Sequence, residues 1–518
     1  QGQAMAGVYD RPNSLELFLT PSEKDAFAQW KEIVHDRSFV NRALDPLLRW
    51  IAAKVPDTVC PNVLTLMGAF SIVQAWYFCE IYSEKQPQVV TCASIGSIVI
   101  FWIFGGIDGK HARRIMNDSS LGELFKYVCD LISSVFLMIV MCTLLLELDF
   151  NVQWYAIQTV QLILLLKHYS AFTREAGIRY FLIGPGELIS WAAGLLLIRA
   201  VFGLRWLRVF YDYTWGSACT QVVQVFDLDP QGYIATMTPS RSIYLGALYF
   251  SLFRIGLGGS KKHAWTRNAL LVILSLRGAS GFLRIDVLEN TELTRRDVIF
   301  DGLFLAMVTS DLIVAKMASR ELHMWVVVMA TMVVMPHLQF LILCFVVFYY
   351  IAVFGDLMNH MNLPLLLVCR NVYCDGVYDL CHIGHKNLFK KALGLGNRLF
   401  VGVVGDEDAN EYKRPPVMTA KERETEVASC KCVTKVIPNA PCFGLTEEFI
   451  RKHRIHIVAY GQEYSDRFPD PNDDPYYKVP RQLGIAYPMP RTEGLSTSDL
   501  IQRIHNMRET ATQKKSPT

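Results

Sequence analysis

The sequence predicts two bodies in one chain: a polytopic α-helical membrane domain of about ten spans, then a soluble α/β domain. Three observations predict it. Hydrophobic residues make up 52% of the 518 and charged residues only 19%, with a positive mean hydropathy of +0.23, so a large part of the chain belongs in lipid. Apolar stretches near the roughly 20 residues that cross a bilayer recur between 61 and 360. After 360 the composition switches abruptly to alternating Val, Tyr and Leu strands separated by Gly turns and charged helical stretches.

The length alone exceeds one ordinary core. A net charge of +3, with no basic stripe, gives nucleic acid nothing to bind and excludes it as a partner class. The 13 cysteines show no C-x2-C pair, and Cys79, Cys129, Cys142 and Cys344 lie in apolar runs, which fits a reducing compartment. Cys430 and Cys432 lack the spacing and partners of a zinc site. The polar first fifty residues lack the apolar core and small-residue step of a cleavable signal.

Taken in order, residues 1–55 form a polar segment ending in an amphipathic helix at 39–55, where Phe39, Ala43, Leu47, Leu48 and Ile51 repeat at helical spacing between Arg42, Arg49 and Lys54. That pattern predicts a helix lying in the membrane interface. Spans are predicted at 63–78, 90–104, 128–145, 157–166, 188–201, 244–255, 269–276, 298–315, 324–335 and 338–353, several needing flanking residues to complete a crossing. A short linker, GDLMNHMNLP at 355–364, leads to the soluble domain at 365–508. The polar tail at 509–518 is expected to be disordered. No internal repeat is present, and GLGGSKK at 256–262 lacks P-loop spacing and reads as a membrane-edge loop.

In the soluble part, VYCDG is followed by VYDLCHIGHKNLFKKAL, a strand, a turn and a helix start carrying His382, Gly384 and His385. A helix N-terminus offers free N–H groups and positive dipole to an anion, and glycine lets a phosphate come close. Two imidazoles there suit oxygens that gain charge as a phosphate leaves. RTEGLSTSDLIQRI places Arg491, Thr492, Ser496, Thr497 and Ser498 before a second helix, a guanidinium and hydroxyls suited to further phosphates.

With these residues the chain resembles the choline- and ethanolamine-phosphate cytidylyltransferases over 368–504, where DGVYD at 375–379, YKRPPVM at 412–418 and VIPNAP at 436–441 fall in the family order. The resemblance implies a doubly wound parallel sheet with nucleotide over the carboxyl ends of the strands. It implies catalytic roles for His382, His385, Lys413 and Arg491, with Gly376, Gly384, Thr492, Ser496, Thr497 and Ser498 on CTP. Asp375, Tyr460 and Glu463 would contact the phospho-alcohol. The implied reaction is in-line attack of the phospho-alcohol on the α-phosphorus of CTP, with Mg2+ held mainly by phosphates and water. Cys442 follows NAP where the choline type has Trp, and YGQE at 460–463 stands where it has H-D-D, while DDPYYK at 473–478 and a single catalytic domain lean towards choline. The headgroup positions decide narrowly for phosphoethanolamine over phosphocholine.

The run IDGKHARRIMNDSSLGELFKYVCD resembles the signature of CDP-alcohol phosphotransferases, supported by CPNVLTLMG at 60–68, and the likeness covers most of 56–360. Asp108, Gly109, Ala112, Arg113, Gly122 and Asp130 match at their spacings, but Gly105 and Lys126 stand where the family has its first and third aspartates. In the family four carboxylates hold a divalent pair that neutralises the CDP diphosphate. The resemblance therefore implies a degenerate site, in which Asp108, Arg113 and Asp130 are structural relics, a weakened nucleotide site, or a site where the Lys126 ammonium substitutes for a metal, and no side chain here is assigned as a metal ligand.

The leading reading is a cytidylyltransferase anchored on an inactive phosphotransferase-like fold. The alternatives are a bifunctional enzyme that also passes the phospho-alcohol to diacylglycerol, and a non-catalytic scaffold for lipid enzymes. Expected partners are CTP, the phospho-alcohol, membrane lipid, a CDP-alcohol in the membrane domain and a second copy of the chain, since both families are usually dimeric. The expected location is the endoplasmic reticulum membrane with both termini in the cytosol, where Lys110 to Arg114 and Lys261–Lys262 fit the basic face.

Overall fold

The computed structural model describes residues 17–31, 34–36, 38–146, 150–174, 178–180, 184–203, 216–217, 238–258, 261–282, 293–332, 339–412, 415–492, 494 and 496–513. They fall into two compact units, one within Ser14–Leu366 and one within Leu367–Thr518.

The first unit is helical. It runs α1 (Pro21–Gln29), β1 (Val34–Asp36), α2 (Phe39–Lys54), α3 (Pro61–Tyr82), α4 (Pro87–Arg114), α5 (Ser120–Leu146), α6 (Phe150–Thr173), β2 (Ile178–Tyr180), α7 (Pro185–Phe202), α8 (Pro239–Gly256), α9 (Ala264–Phe282), α10 (Arg295–Met317), α11 (Met324–Met332) and α12 (Gln339–Met361). Proline opens α3, α4, α7 and α8, where its missing N–H has no intrahelical partner to lose. The described residues of each of the ten apolar stretches fall on a helix, 333–335 and 338 lying outside them, but six helices are long and apolar enough to cross a membrane: α3, α4, α5, α7, α10 and α12. The other four are shorter or more polar, so the count of ten crossings is not reached among the described residues.

Large apolar side chains such as Phe70, Trp191 and Phe202 stand exposed on these helices, as expected of a lipid-facing surface. Inside the unit, charges are paired. Asp301 accepts from Trp154 and meets Arg277 at 3.1 Å; Asp311 takes Arg320 at 2.5 Å and the Tyr349 hydroxyl at 2.9 Å. Unpaired, such charges would cost too much to bury in an apolar bundle.

The amphipathic segment is helical as predicted, with Leu48 and Ala52 packed on Leu64 and Ile107 while Phe39 and Trp50 face outward. Gly106 permits the approach, because a Cβ there would meet Leu48 at 2.9 Å. The linker expected at 355–364 is corrected: α12 continues to Met361. Asp356 is buried against Lys24 at 3.3 Å, so its charge is compatible with a packed helix, and the helix ends where Asn362 takes φ 49° and the Leu363 N–H reaches Met358 O.

The second unit is a five-stranded parallel sheet in the order β5-β4-β3-β6-β7, built from β3 (Asn371–Gly376), β4 (Arg398–Val404), β5 (Lys435–Ala440), β6 (Ile457–Gly461) and β7 (Ala486–Met489). Helices α13 (Ile383–Leu393), α14 (Asp406–Tyr412), α15 (Ala420–Ala428), α16 (Glu447–His453), α17 (Gln462–Arg467) and α18 (Lys478–Gln482) fill the connections. Strands buried on both faces, such as LFVGVV in β4, are what a parallel sheet requires. The order reverses between β3 and β6, and this places a crevice at the carboxyl ends of those two strands. The last helix, α19 (Thr497–Gln513), carries the segment from 509 expected to be disordered as far as Gln513; Glu, Ala and Gln are helix formers, and 514–518 lie outside the described residues.

Candidate active site

The carboxyl end of β3 delivers Asp375 and Gly376, and the chain then turns sharply. Tyr378 and Leu380 both take φ 53°, a left-handed conformation unusual for such side chains. Asp379 between them is buried, and its carboxylate accepts from the N–H groups of Val417 (3.1 Å) and Met418 (3.0 Å). Arg423, fully buried, ties the same region together by donating to Val377 O at 2.8 Å, Val404 O at 2.7 Å, Met418 O at 3.2 Å and Asp406 at 2.6 Å.

His382 caps α13. Its Nδ1 accepts from the Gly384 N–H at 3.1 Å, which leaves the proton of the neutral ring on Nε2. That nitrogen lies 3.5 Å from the Thr497 hydroxyl, which donates to Asp379 O at 3.2 Å. Burial, and then the positive Arg491 nearby, hold the His382 pKa below the usual imidazole range. His385 stacks on His382 with ring centroids 3.9 Å apart and takes the edge of Tyr378 at 5.3 Å. A neutral N–H donor beside a second imidazole and a hydroxyl is suited to oxygens that gain negative charge.

The two phosphate-philic motifs read from the sequence thus meet, 115 residues apart, at the starts of α13 and α19. Ser496 caps α19 through Asp499, accepting from its N–H at 3.2 Å and donating to its carboxylate at 2.7 Å. Arg491 and Ser498 are exposed and Thr492 half-buried, around a stretch whose residues 493 and 495 lie outside the described ones. Lys413 also lies outside the described residues.

At the end of β3, Asp375 accepts from the Tyr477 hydroxyl at 2.8 Å, and burial pushes its carboxyl up to about 6 against that hydrogen bond. Tyr477 packs on Tyr460 at 4.7 Å and on Tyr464 at 5.3 Å. Tyr460 is itself buried, whereas Glu463 is exposed and folds back over Gly461. Sequence reasoning left out Asp379, Arg423 and Tyr477. Asp379 and Tyr477 sit in the quoted DGVYD and DDPYYK stretches, but their partners are 38 and 102 residues away; Arg423 is one charge among several in α15 and carries no signal.

In the helical unit, Asp108 on α4 is buried and its two oxygens are taken, Oδ1 by Lys126 Nζ at 2.6 Å and Oδ2 by the Thr65 hydroxyl at 2.8 Å. Lys126 Nζ also donates to the carbonyl of Gly105 at 2.5 Å. Ala112 is buried, Asp130 lies one turn beyond Lys126, and Gly122 faces Asn62, whose Oδ1 a Cβ would meet at 3.2 Å. Gly109 passes near the Arg113 guanidinium, which a Cβ would meet at 3.6 Å. Among the described residues no three His, Cys, Asp or Glu side chains form a metal-holding group.

Two helix starts thus meet at the switch point of a parallel doubly wound sheet, the crevice where such folds take their ligands, on a chain that also has a helical region with six membrane-length apolar helices. Residues 373–503 match the Cytidylyltransferase-like family model, and residues 58–206 match that of the CDP-alcohol phosphatidyltransferases. The chain therefore carries these two regions in the order the motifs predicted. It is similar to an ethanolamine-phosphate cytidylyltransferase of Dictyostelium discoideum, 38% identical over 26% of this chain and 37% of that protein. It is also similar to choline-phosphate cytidylyltransferase 2 of Arabidopsis thaliana, 41% identical over 26% of this chain and 44% of the relative, and to human choline-phosphate cytidylyltransferase A, 41% identical over 26% and 36%. The chain spans less than half the length of these curated relatives.

Proposed function

We propose that the α/β unit is a CTP:phosphoethanolamine cytidylyltransferase of phospholipid synthesis, held at a membrane by the helical unit. The observation that carries this is the convergence of His382, His385 and Thr497 at two helix N-termini. A phosphate oxygen of the phospho-alcohol attacks the α-phosphorus of CTP, the bond to the β-phosphate bridging oxygen breaks, and pyrophosphate leaves. His382 and His385 donate to the oxygens that gain charge, Arg491 with Thr492, Ser496, Thr497 and Ser498 hold the outer phosphates, and Lys413 is assigned to them as well. Gly376 and Gly384 let phosphates approach the backbone. Asp375, with one oxygen engaged by Tyr477, keeps acceptor capacity for the substrate ammonium, and Tyr460 and Glu463 flank it.

Mg2+ bound to CTP would supply neutralisation of the triphosphate charge. The donor set fits a cation carried by the nucleotide rather than a resident one, because Asp375 is a single carboxylate with a tyrosine on it. The helical unit, at 56–360, acts as anchor in the endoplasmic reticulum membrane, α2 lies in the interface, both termini face the cytosol and the chain pairs with a second copy. The phosphotransferase-like site makes no lipid product.

Purified protein with labelled CTP and each phospho-alcohol, followed by diacylglycerol, tests the whole reading. CDP-ethanolamine and pyrophosphate in equal amounts support it. No CDP-alcohol with either substrate refutes it, and preference for phosphocholine reverses the headgroup alone.

A further inference from the structure

The resemblance of the helical unit to CDP-alcohol phosphotransferases implies a divalent pair between α4 and α5, and the side chains present do not fit one. Two of four carboxylate positions are Gly105 and Lys126. The two are joined: the Lys126 ammonium donates to the carbonyl of Gly105 at 2.5 Å and to Asp108 Oδ1 at 2.6 Å. The ammonium thus bridges the residue that lost its carboxylate to a residue that kept it. The second oxygen of Asp108 accepts from Thr65, so both oxygens of that carboxylate already have a protein donor, one of them the ammonium.

We propose that Lys126 is a built-in cation that stands in for the metal ions, so that this cleft balances its charge and holds its shape without binding a divalent cation. Charge supports it. Four carboxylates need two divalent ions to reach neutrality, whereas Asp108 and Asp130 face one ammonium on the same helix pair, with Arg113 on the next turn of α4. Geometry supports it as well. A divalent ion would sit about 2.0–2.2 Å from a carboxylate oxygen, and on Oδ1 the Lys126 ammonium already stands at 2.6 Å, where its charge would repel that ion. Asp108 is 4% exposed, so its charge requires a permanent partner, and a covalently attached one cannot be diluted away or chelated.

The identity of the missing side chain makes the proposal reversible. A Cβ on Gly105 would meet nothing within 4 Å, so a side chain can start there without displacing a neighbour. Gly105→Asp combined with Lys126→Asp restores four carboxylates and removes the ammonium.

The test is Mn2+ binding to the full chain in detergent micelles, without nucleotide, read by electron paramagnetic resonance. Wild type is expected to bind no Mn2+ that Asp108→Asn abolishes, and the double variant is expected to gain at least one equivalent that does depend on Asp108. Stoichiometric, Asp108-dependent Mn2+ in the wild type overturns the proposal. So does a double variant that elutes as a folded species yet gains no such site. Thermal unfolding covers the case in which that variant does not fold: Lys126→Met should lower Tm by several degrees with no recovery in added Mg2+, while chelator leaves wild-type Tm unchanged. An unchanged Tm in Lys126→Met, or recovery by Mg2+, also overturns it. Because the readouts need no CTP and follow Asp108, they stand or fall separately from cytidylyl transfer.

Discussion

Replacing His385 by alanine isolates one donor at the proposed transition state. His382 does not depend on its neighbour for position, since its Nδ1 is held by the Gly384 N–H at 3.1 Å and its Nε2 faces Thr497. Losing the 3.9 Å stack and the Tyr378 edge contact removes an aromatic interaction of about 0.5–1.5 kcal/mol. Alanine inside the first turn of α13 returns a few tenths of a kcal/mol in helix propensity, so the fold should persist. The chemical step should suffer far more. Removing one preorganised donor typically costs on the order of 10²–10³ in kcat, about 2.7–4 kcal/mol. The assay is CDP-ethanolamine formation from labelled CTP at saturating substrates, with kcat and KM measured separately and thermal unfolding run alongside. The loss should fall on kcat, because the donor meets charge that develops only as pyrophosphate leaves. A kcat within a few fold of wild type, in a variant of unchanged Tm, would refute the assignment of His385 and weaken the reaction class with it.

Three further outcomes follow from particular residues. The Asp375 carboxyl, raised by burial from 3.8 to about 6, binds its proton more tightly folded than unfolded, so the stability it contributes is present below about 4 and is lost as pH rises through about 6. Asp375→Asn should therefore stabilise the protein at pH 7.5, by up to about 3 kcal/mol, and by much less at pH 4.5; equal shifts in Tm at the two pH values would contradict this. Arg423→Met should lower stability by about 2 kcal/mol or more, since the buried carbonyl of Val404 loses its donor at about 1–3 kcal/mol and the part-buried carbonyl of Val377 and the Asp406 carboxylate lose theirs too; denaturant unfolding within 1 kcal/mol of wild type would show the clamp to be dispensable. Phosphoethanolamine should exceed phosphocholine in kcat/KM by roughly 2–30-fold, the equivalent of an incomplete cation–π cage of about 0.5–2 kcal/mol, and the opposite ratio would move the headgroup choice to choline.

Much of the site was legible because its chemistry is local. HIGHK puts two imidazoles and a glycine on one helix start, and STS puts hydroxyls on another, within stretches short enough for spacing alone to report geometry. The same holds for the six apolar helices and the amphipathic α2, whose periodicities are properties of single segments. What the chain order could not determine are the contacts between segments. That Thr497 meets His382, that Asp379 tethers the 417–418 backbone and that Tyr477 engages Asp375 depends on the reversal of strand order between β3 and β6, which gathers distant residues at one crevice. The extension of α12 through the expected linker turned on Lys24, more than three hundred residues away, neutralising Asp356. Lys126 and Gly105 could be recognised from sequence as two lost carboxylates, but that the lysine bonds the very carbonyl of Gly105 was decided only where α4 and α5 pack. A hydrogen bond acts over about 3 Å of space, whatever the separation along the chain, and only the folded structure converts one into the other.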